Sequence, residues 1–301
     1  MKRRGFIPAL AAAALPLALA PGCRIEKVKR QNRPVETLTI AGRTIEELRE
    51  QCRYDLFDDF LPFVERFVVD RDHGGFMTAV ARDGSLVSTD KNLLDGAHGL
   101  WTFSFLARNI EKNDKYIEIA RKTLIFLRRD KPVGDLLWPE RFSRDGRAKA
   151  KPDPRGLGDL AAANALQEFA RATGEGKWRD LAKDTLIKIV RHYDLADYHP
   201  QSGQDMLGPK APLTPGGRVL GMWMRIIEIS SAMLADDADP RTKEILDRSI
   251  RAVVDSHHNP DIDLTNEIMN HDLSRPSNEY ARLVHTGNAI ETFRILMDEA
   301  A

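Results

Sequence analysis

The chain has 301 residues, of which 42% are hydrophobic and 30% are charged, proportions that are usual for a globular protein in water. Lysine plus arginine balance aspartate plus glutamate at 45 residues each, so the formal net charge is zero. This balance gives no electrostatic reason to expect nucleic acid or an anionic membrane surface as a partner. The length suits one large domain or two small ones.

The first 22 residues have the pattern of an export signal. Arg3 and Arg4 precede an apolar, alanine-rich run that is too short to span a membrane comfortably. The Arg-Arg-Gly-Phe sequence is similar to a twin-arginine signal. Cys23 is similar to a lipoprotein acceptor, although Pro21 departs from that pattern. The alternative is an ordinary secretory leader in which Cys23 has no role. Both interpretations predict a periplasmic or cell-envelope protein. In the first interpretation, its membrane contact is limited to a lipid anchor at Cys23.

Residues 23–44 are polar and basic, which predicts a linker, and the folded domain is expected to cover residues 45–301. The only other cysteine, Cys52, falls on a predicted helix. It is expected to be a small core residue rather than half of a disulfide.

Apolar residues at three- and four-residue steps predict a long helix from Ile45 to about Val69, which Pro62 should kink or divide. The Asp83-Gly84 pair lies between short alternating runs and predicts a β-hairpin. Helices are then expected over residues 93–110 and 114–129, followed by a second hairpin that turns at residues 144–146.

These elements repeat along the chain. Arg82-Asp83-Gly84 recurs as Arg144-Asp145-Gly146, and several helix positions recur at the same offset. The matching pairs are Tyr116 and Trp178, Ala120 and Ala182, Thr123 and Thr185, and Leu124 and Leu186. A chance recurrence of Asp-Gly turns is the alternative, but the matching helix positions favour a true repeat. Further helices are expected over residues 221–234, 242–254 and 288–299. Because a hairpin with two helices cannot bury its apolar faces alone, the units must pack side by side in a curved or closed α/α array.

Four stretches resemble the N-acylglucosamine 2-epimerase family, which includes the cellobiose 2-epimerases. They are DRDHGGFMTAVARDGSLVSTDK from Asp70, LWTFSFLARN from Leu100, GDLAAANALQEFARATGEGKWRDLA from Gly158 and TGNAIETFRILMDEA from Thr286. The resemblance covers roughly residues 55 to 301, and the motifs occur in the family's order. It implies an all-α fold, the (α/α)6 toroid of six inner and six outer helices, with a sugar cleft at one end.

The resemblance also implies a reaction at the carbon beside the carbonyl of a reducing sugar. A base removes a weakly acidic proton, an acid returns one, and hydrogen-bond donors hold the enediolate oxygen. The family uses two histidines for these transfers. No cofactor is implied. No metal is expected either, since His257, His258 and His271 lack the spacing of a known zinc site and are better explained as residues of a solvated helix end.

The family's Pro-Gly-His-x-Ile-Glu helix start aligns with residues 286–291. Glu291 is kept, but Asn288 stands where the family has its first histidine. Glu291 is interpreted as a cleft carboxylate that orients a base or binds a hydroxyl; the alternative is a surface acid near a helix start. Asn288 is interpreted as a helix N-cap in preference to a catalytic residue. His285 can act as the base only if the helix begins early.

The family's Lys-x-x-Trp-x-Gln-x-Arg-x-x-Trp motif aligns with residues 91–101. Lys91 and Trp101 match, which makes Lys91 a candidate for substrate binding and Trp101 the expected sugar platform. His98 replaces the arginine. It is interpreted either as a hydrogen-bond donor to a sugar oxygen or as an interior histidine.

Two further candidates for substrate binding lie nearer the end of the chain. Arg225, on a predicted inner helix, could face the cleft with Trp223 beside it. Glu267 resembles the acidic residue of the hairpin that precedes the family's histidine helix.

Six units of this length need more residues than follow Ile45, so an incomplete toroid of about four helix pairs plus one helix is predicted. The family's second histidine falls in the portion that is not represented. The chain is therefore interpreted as C-terminally truncated, whether a fragment, a gene-model error or a true truncation. Exposed inner helices then favour a homodimer.

The predicted function is that of a carbohydrate epimerase or isomerase that acts beside the carbonyl of a reducing sugar through an enediolate, with impaired activity. The alternative is a non-catalytic extracytoplasmic sugar-binding protein. A hydrolase or lyase with an α/α barrel is less favoured, since no clear pair of carboxylates is seen. In each case the expected ligand is a mono- or disaccharide.

Overall fold

The computed structural model describes residues 39–300, which divide into two compact units between Arg53 and Tyr54. The predicted export signal at residues 1–22, the predicted lipidation site Cys23 and most of the predicted linker lie outside the described residues. Within the described part of the chain, no helix is both long enough and apolar enough to span a bilayer.

In the first unit, strands Thr39–Ile40 (β1) and Arg43–Thr44 (β2) pair in a hairpin before helix Ile45–Tyr54 (α1). Thr44 and Glu47 cap the helix reciprocally. The Thr44 hydroxyl accepts from the Glu47 amide at 3.2 Å, and the Glu47 carboxylate accepts from the Thr44 amide at 2.7 Å. Helix α1 has no buried residue, and Cys52 is exposed. The prediction that Cys52 is a core residue is therefore wrong.

The second unit is mainly helical, and its helices agree with the predicted ones to within a few residues at each end. The α-helices are Leu61–Phe63 (α2), Leu93–Phe105 (α3), Asp114–Leu127 (α4), Leu157–Thr173 (α5), Gly176–Tyr193 (α6), Ser202–Leu207 (α7), Leu220–Asp236 (α8), Pro240–Arg251 (α9) and Thr286–Ala300 (α10). Wider π-helical turns cover Asp55–Phe60, Val64–Val68, Leu106–Ile110 and Ala252–His257, and a 3-10 turn covers Glu279–Arg282.

Pro62 has the predicted effect on the helical segment that contains it. Proline has no N–H to donate, and its ring crowds the preceding turn. The short helix α2 around Pro62 is accordingly flanked on both sides by π-helical turns. The segment still packs on the core through the buried Leu61 and the partly buried Phe57 and Val64.

Short antiparallel strand pairs connect the helices. Ala79–Val80 (β3) pairs with Leu86–Ser88 (β4), and the turn between them contains Gly84 with a φ of 85°, which confirms the first predicted hairpin. The remaining strands are Lys91–Asn92 (β5), Arg141–Phe142 (β6), Arg218–Val219 (β7), His258–Asn259 (β8), Leu264–Thr265 (β9) and Ile268–Met269 (β10), paired as β5 with β6, β7 with β10 and β8 with β9. Strands β5 and β7 run directly into α3 and α8 and so fix where those helices begin.

The helices form two layers. The inner helices α3, α5, α8 and α10 contact one another in that order, while the outer helices α4, α6 and α9 pack on α3, α5 and α8 respectively. All four positions that repeat between α4 and α6 are buried in both helices, including Thr123 and its counterpart Thr185. The repeat therefore reflects the same packing surface used twice. The fold is an incomplete all-α toroid of alternating inner and outer helices, as predicted.

Candidate functional site

The inner helices α3, α5 and α8 line an open cavity of about 250 Å³. Aromatic, charged and amide side chains converge in it, together with a few aliphatic ones. The lining residues are His98, Trp101 and Thr102 on α3, Leu160, Ala161 and Asn164 on α5, and Arg225, Glu228 and Ile229 on α8. A concave site with a few convergent polar groups on an apolar wall is the usual form of a small-molecule site.

The α3 wall of the cavity follows from helical spacing. Asn92 caps the helix by accepting from the Asp95 amide at 2.6 Å. From this start, His98 and Trp101 fall on one face, three residues apart. The Trp101 ring stacks on Phe105 with centroids 4.9 Å apart. Phe103 points the opposite way and is a core residue, so only part of this aromatic run faces the cavity, as expected.

His98 and Arg225 interact electrostatically across the cavity. The His98 side chain is open to solvent through the cavity, but neighbouring residues still cover part of its imidazole. This partial burial and repulsion by the Arg225 guanidinium lower the pKa of the imidazole below the ordinary value of 6.5. At neutral pH the imidazole is therefore uncharged and able to accept a proton. The structure brings the predicted residues His98, Trp101 and Arg225 together in one cavity.

Along α8, Gly221, Arg225 and Glu228 are spaced by four and three residues and so share one face. Arg225 and Glu228 line the cavity. Trp223 is buried and packs edge-on against Tyr193. The suggestion that Trp223 faces the cleft is therefore wrong.

Glu267 and Asn288 form a second cluster beside Gly221. The Glu267 carboxylate accepts from Asn288 Nδ2 at 2.9 Å and from the Gly221 amide at 3.4 Å. Glu267 is fully buried, and this burial raises the pKa of its carboxyl to about 7. None of these three residues lines the cavity. Gly221 is one helical turn from Arg225 on the same face of α8, so the cluster lies next along that face, towards the N-terminal end of α8.

Asn288 is not the helix cap. Helix α10 begins at Thr286, so Asn288 lies in its first turn, and its amide N–H donates to His285 Nδ1 at 3.1 Å. His285 therefore occupies the capping position, and the N-cap interpretation of Asn288 is wrong. With Nδ1 occupied as an acceptor at the helix start, His285 satisfies a backbone group that would otherwise be free. The role of His285 as a base stays a prediction.

Lys91 lies outside the cavity, between the hairpins. Its ammonium donates to Asp70 Oδ2 at 2.8 Å, to the Gly74 carbonyl at 2.6 Å and to the Arg144 carbonyl at 3.2 Å. These three bonds use all of its donors, and the side chain is 1% exposed. A sugar contact would require Lys91 to give up one of these acceptors, so the structure gives it a role in holding the hairpins together.

Glu291 is also occupied elsewhere. Its Oε1 accepts from Arg294 at 3.0 Å and 2.6 Å in an i,i+3 pair on the exposed side of α10. The Arg294 guanidinium lowers the pKa of the Glu291 carboxyl. This placement agrees with the surface interpretation of Glu291 rather than with the cleft interpretation.

Asn164 and Thr102 line the cavity but were not among the sequence candidates. Asn164 interrupts the apolar run LAAANAL, and a lone amide in such a run was the available signal.

His257 was expected at a solvated helix end, which is wrong. It is fully buried, and its Nδ1 lies 2.7 Å from the Asn266 carbonyl. Over residues 39–300, no group of three or more histidine, cysteine or acidic side chains could hold a metal ion.

Larger cavities lie away from the inner helix faces. One of about 390 Å³ lies beside the outer helix α6 and is lined by cationic residues that include Arg128, Lys188 and Arg241. None of the candidate residues named from the sequence belongs to its lining in the described chain. Volume alone therefore does not identify the site.

No family model and no curated protein matches the sequence. Solved structures match it in fold. A cellobiose 2-epimerase from Bacillus thermoamylovorans is 15% identical with a TM-score of 0.66, over 85% of this chain and 68% of that one. A cellobiose 2-epimerase from Spirochaeta thermophila is 21% identical with a TM-score of 0.63, over 84% of this chain and 63% of that one.

The fold is not confined to epimerases. A glycoside hydrolase family 76 mannosidase from Bacteroides thetaiotaomicron is 13% identical with a TM-score of 0.55, over 85% of this chain and 67% of that one. The chain spans about two thirds of the length of these three proteins. It thus has the α/α toroid fold found in sugar epimerases and in a glycosidase.

Proposed function

We propose that the protein binds a reducing mono- or disaccharide in the α3–α5–α8 cavity and catalyses epimerisation or isomerisation beside its carbonyl. The observation that carries this proposal is the convergence of His98, Trp101 and Arg225 on the inner faces of the helices. It is supported by the fold shared with two cellobiose 2-epimerases. Hydrolysis is less favoured because Glu228 is the only carboxylate in the cavity lining of the described chain, whereas glycosidases use a pair.

In this reaction His98 is the proton acceptor. The neutral imidazole removes the proton from the carbon beside the carbonyl of the open-chain sugar, and the electron pair of that C–H bond forms the C1=C2 double bond of an enediolate. The Arg225 guanidinium stabilises the negative charge that develops on the carbonyl oxygen. Donation of a proton to C2 by a water molecule on the opposite face, which the open cavity admits, gives the epimer. Return of the His98 proton to C1, with transfer of the O2 proton to O1, gives the ketose.

The other lining residues bind the sugar. Trp101 presents an aromatic face on which the apolar side of a sugar ring can pack. Glu228 accepts hydrogen bonds from hydroxyl groups, and the Asn164 amide both donates and accepts them. Glu228 carries a negative charge, so it is kept for binding rather than for stabilising the enediolate.

Solvent isotope exchange tests the proposal. Purified protein is incubated in heavy water with mannose, cellobiose or N-acetylmannosamine, and the sugar is analysed by NMR. Deuterium at C2 of at least one sugar is the expected result. Calorimetric binding of a sugar without any deuterium uptake would instead assign the protein to the class of non-catalytic sugar-binding proteins.

A further inference from the structure

The contact between Glu267 and Asn288 is held in place from several sides. The Glu267 amide donates to the Leu283 carbonyl at 2.8 Å, and its carbonyl accepts from the Leu220 amide at 2.8 Å. The backbone of Glu267 is thus tied both to the segment before α10 and to the first residue of α8. Its carboxylate has little freedom to leave the N-terminal end of α8.

Gly221 makes the close approach of Asn288 feasible. A Cβ atom at position 221 would lie 2.7 Å from Asn288 Nδ2 and 3.5 Å from Glu267 Oε1. The first distance is shorter than real Cβ contacts, so any side chain at this position would displace the amide. Glycine therefore leaves room for an amide that meets the carboxylate directly at the surface of α8.

The carboxyl of Glu267 is only half satisfied. Oε1 accepts from Asn288 and Gly221, but Oε2 is buried and has no hydrogen-bond partner in the described chain. A buried polar atom without a partner is uncommon and is costly for an ionised group. Protonation of this carboxyl therefore costs little free energy. The ionisation state of Glu267 in turn determines which end of the Asn288 amide can face it.

An asparagine amide has a donor end and an acceptor end. A carboxylate can only accept, so it requires Nδ2 of Asn288 to face it, and Oδ1 then points away from Glu267. A protonated carboxyl can also donate, and this removes the requirement. Asn288 is half-buried on α10, beside Gly221 and one turn of α8 from Arg225. A ligand that extends from the cavity beyond Arg225, along this face of α8 towards Gly221, would meet Asn288.

We propose that Glu267 is a positioning residue that fixes the amide of Asn288, so that Asn288 Oδ1 accepts a hydrogen bond from a sugar hydroxyl. This inference rests on the proposed sugar-binding function of the cavity. It assigns Asn288 a role in substrate binding. The histidine that stands at this position in the N-acylglucosamine 2-epimerase family transfers a proton instead. Glu267 acts through Asn288 and does not touch the sugar.

Ionisation of Glu267 gives this role a measurable signature. Burial raises the pKa of Glu267 to about 7, and the hydrogen bonds from Asn288 and Gly221 limit the rise. The carboxylate fraction is then about a quarter at pH 6.5 and nearly complete at pH 8.5. Because apparent affinity scales with the competent fraction, the Kd should be about fourfold higher at pH 6.5 than at pH 8.5.

Other titratable groups around Glu267 behave differently in this range. Burial lowers the pKa of His257 to about 4 and partial burial lowers that of His98 below 6.5, so both are mainly neutral above pH 6.5. Other charged or titratable groups on the elements packed around Glu267 have a hydrogen-bond or ion-pair partner of their own or lie along α8, as Arg225 does one turn away. His285 accepts from the Asn288 amide, Glu291 pairs with Arg294, and Arg218 contacts His271.

The test compares sugar affinity at pH 6.5 and 8.5 by calorimetry, with mannose, cellobiose and N-acetylmannosamine as probes. The wild type should show the fourfold change. Glu267→Gln resembles the protonated carboxyl, because its amide can also donate and no longer requires Asn288 Nδ2 to face it. Its affinity should therefore stay constant with pH and be weaker than that of the wild type at pH 8.5 by about fourfold or more. Asn288→Ala should bind about fivefold more weakly at pH 8.5, because one hydrogen bond is lost, and should show no pH dependence. The exposed Glu279→Gln is the matched control and should behave like the wild type.

An affinity that is constant with pH in the wild type, or a fourfold change that persists in Glu267→Gln, would overturn the proposal. A second measurement separates it from the proposed function. The side-chain amide signals of Asn288, identified by their loss in Asn288→Ala, are followed by ¹⁵N NMR without sugar. A transition near pH 7 that disappears in Glu267→Gln supports the coupling even if none of the three sugars binds, and constant signals refute it.

Discussion

Glu267 should make the stability of the folded protein depend on pH, and Glu267→Gln isolates the effect. Burial raises the pKa of this carboxyl from 4.5 to about 7. Between these two pH values the carboxyl is therefore protonated in the folded state and ionised in the unfolded state. The stabilisation is fully present below pH 4.5 and is lost as the pH rises through 7. A shift of this size corresponds to about 3 kcal/mol.

The assay is urea unfolding of the wild type and of Glu267→Gln at several pH values from 4.5 to 8. Glutamine resembles the neutral carboxyl, so the variant should lack this contribution. The buried Asp159, whose pKa is also raised by burial, to about 6, is present in both proteins and cancels in the difference. The wild type should lose about 3 kcal/mol relative to the variant across this range. Parallel stability curves would refute the reasoning.

Two further predictions concern stability. Lys91→Met leaves the buried Asp70 with Arg144 as its only cationic partner among the described residues, and should lower the free energy of unfolding by about 3 kcal/mol or more. Its control, Lys149→Met, breaks an exposed, solvent-screened pair with Asp90 and should leave the free energy of unfolding close to that of the wild type; equal losses in urea unfolding would contradict the role of Lys91. Gly99→Ala places a Cβ atom 2.1 Å from the Phe76 ring, and overpacking should cost about 1–3 kcal/mol. An unchanged melting temperature would argue against so close a contact.

The fold was largely predictable because one packing surface is used twice. Tyr116 on α4 and Trp178 on α6 occupy equivalent buried positions, and the turns before α3 and α5 carry Gly84 and Gly146. Local signals of this kind do not depend on distant residues. The outcome for Cys52 differed because its burial depends on what packs against α1, and helical spacing alone does not reveal that.

The site was predictable only in part. His98, Trp101 and Arg225 share a cavity because their spacing puts them on the inner faces of α3 and α8. Lys91 was misassigned because its ammonium is held by Asp70 and by two carbonyls from distant turns. The pairing of Asn288 with Glu267 could not be seen either, since it depends on the approach of α10 to Gly221.

Isotope exchange at C2 of the sugar, measured for the wild type and for His98→Gln, tests the proposed chemistry most directly. His258→Gln is the matched control, because His258 is an exposed residue on β8 outside the cavity lining. Removal of a general base typically slows proton transfer by about 100-fold or more. The prediction is deuterium uptake in the wild type and in His258→Gln, with a loss of that size in His98→Gln. Equal uptake in all three proteins would contradict the assignment of His98 as the base.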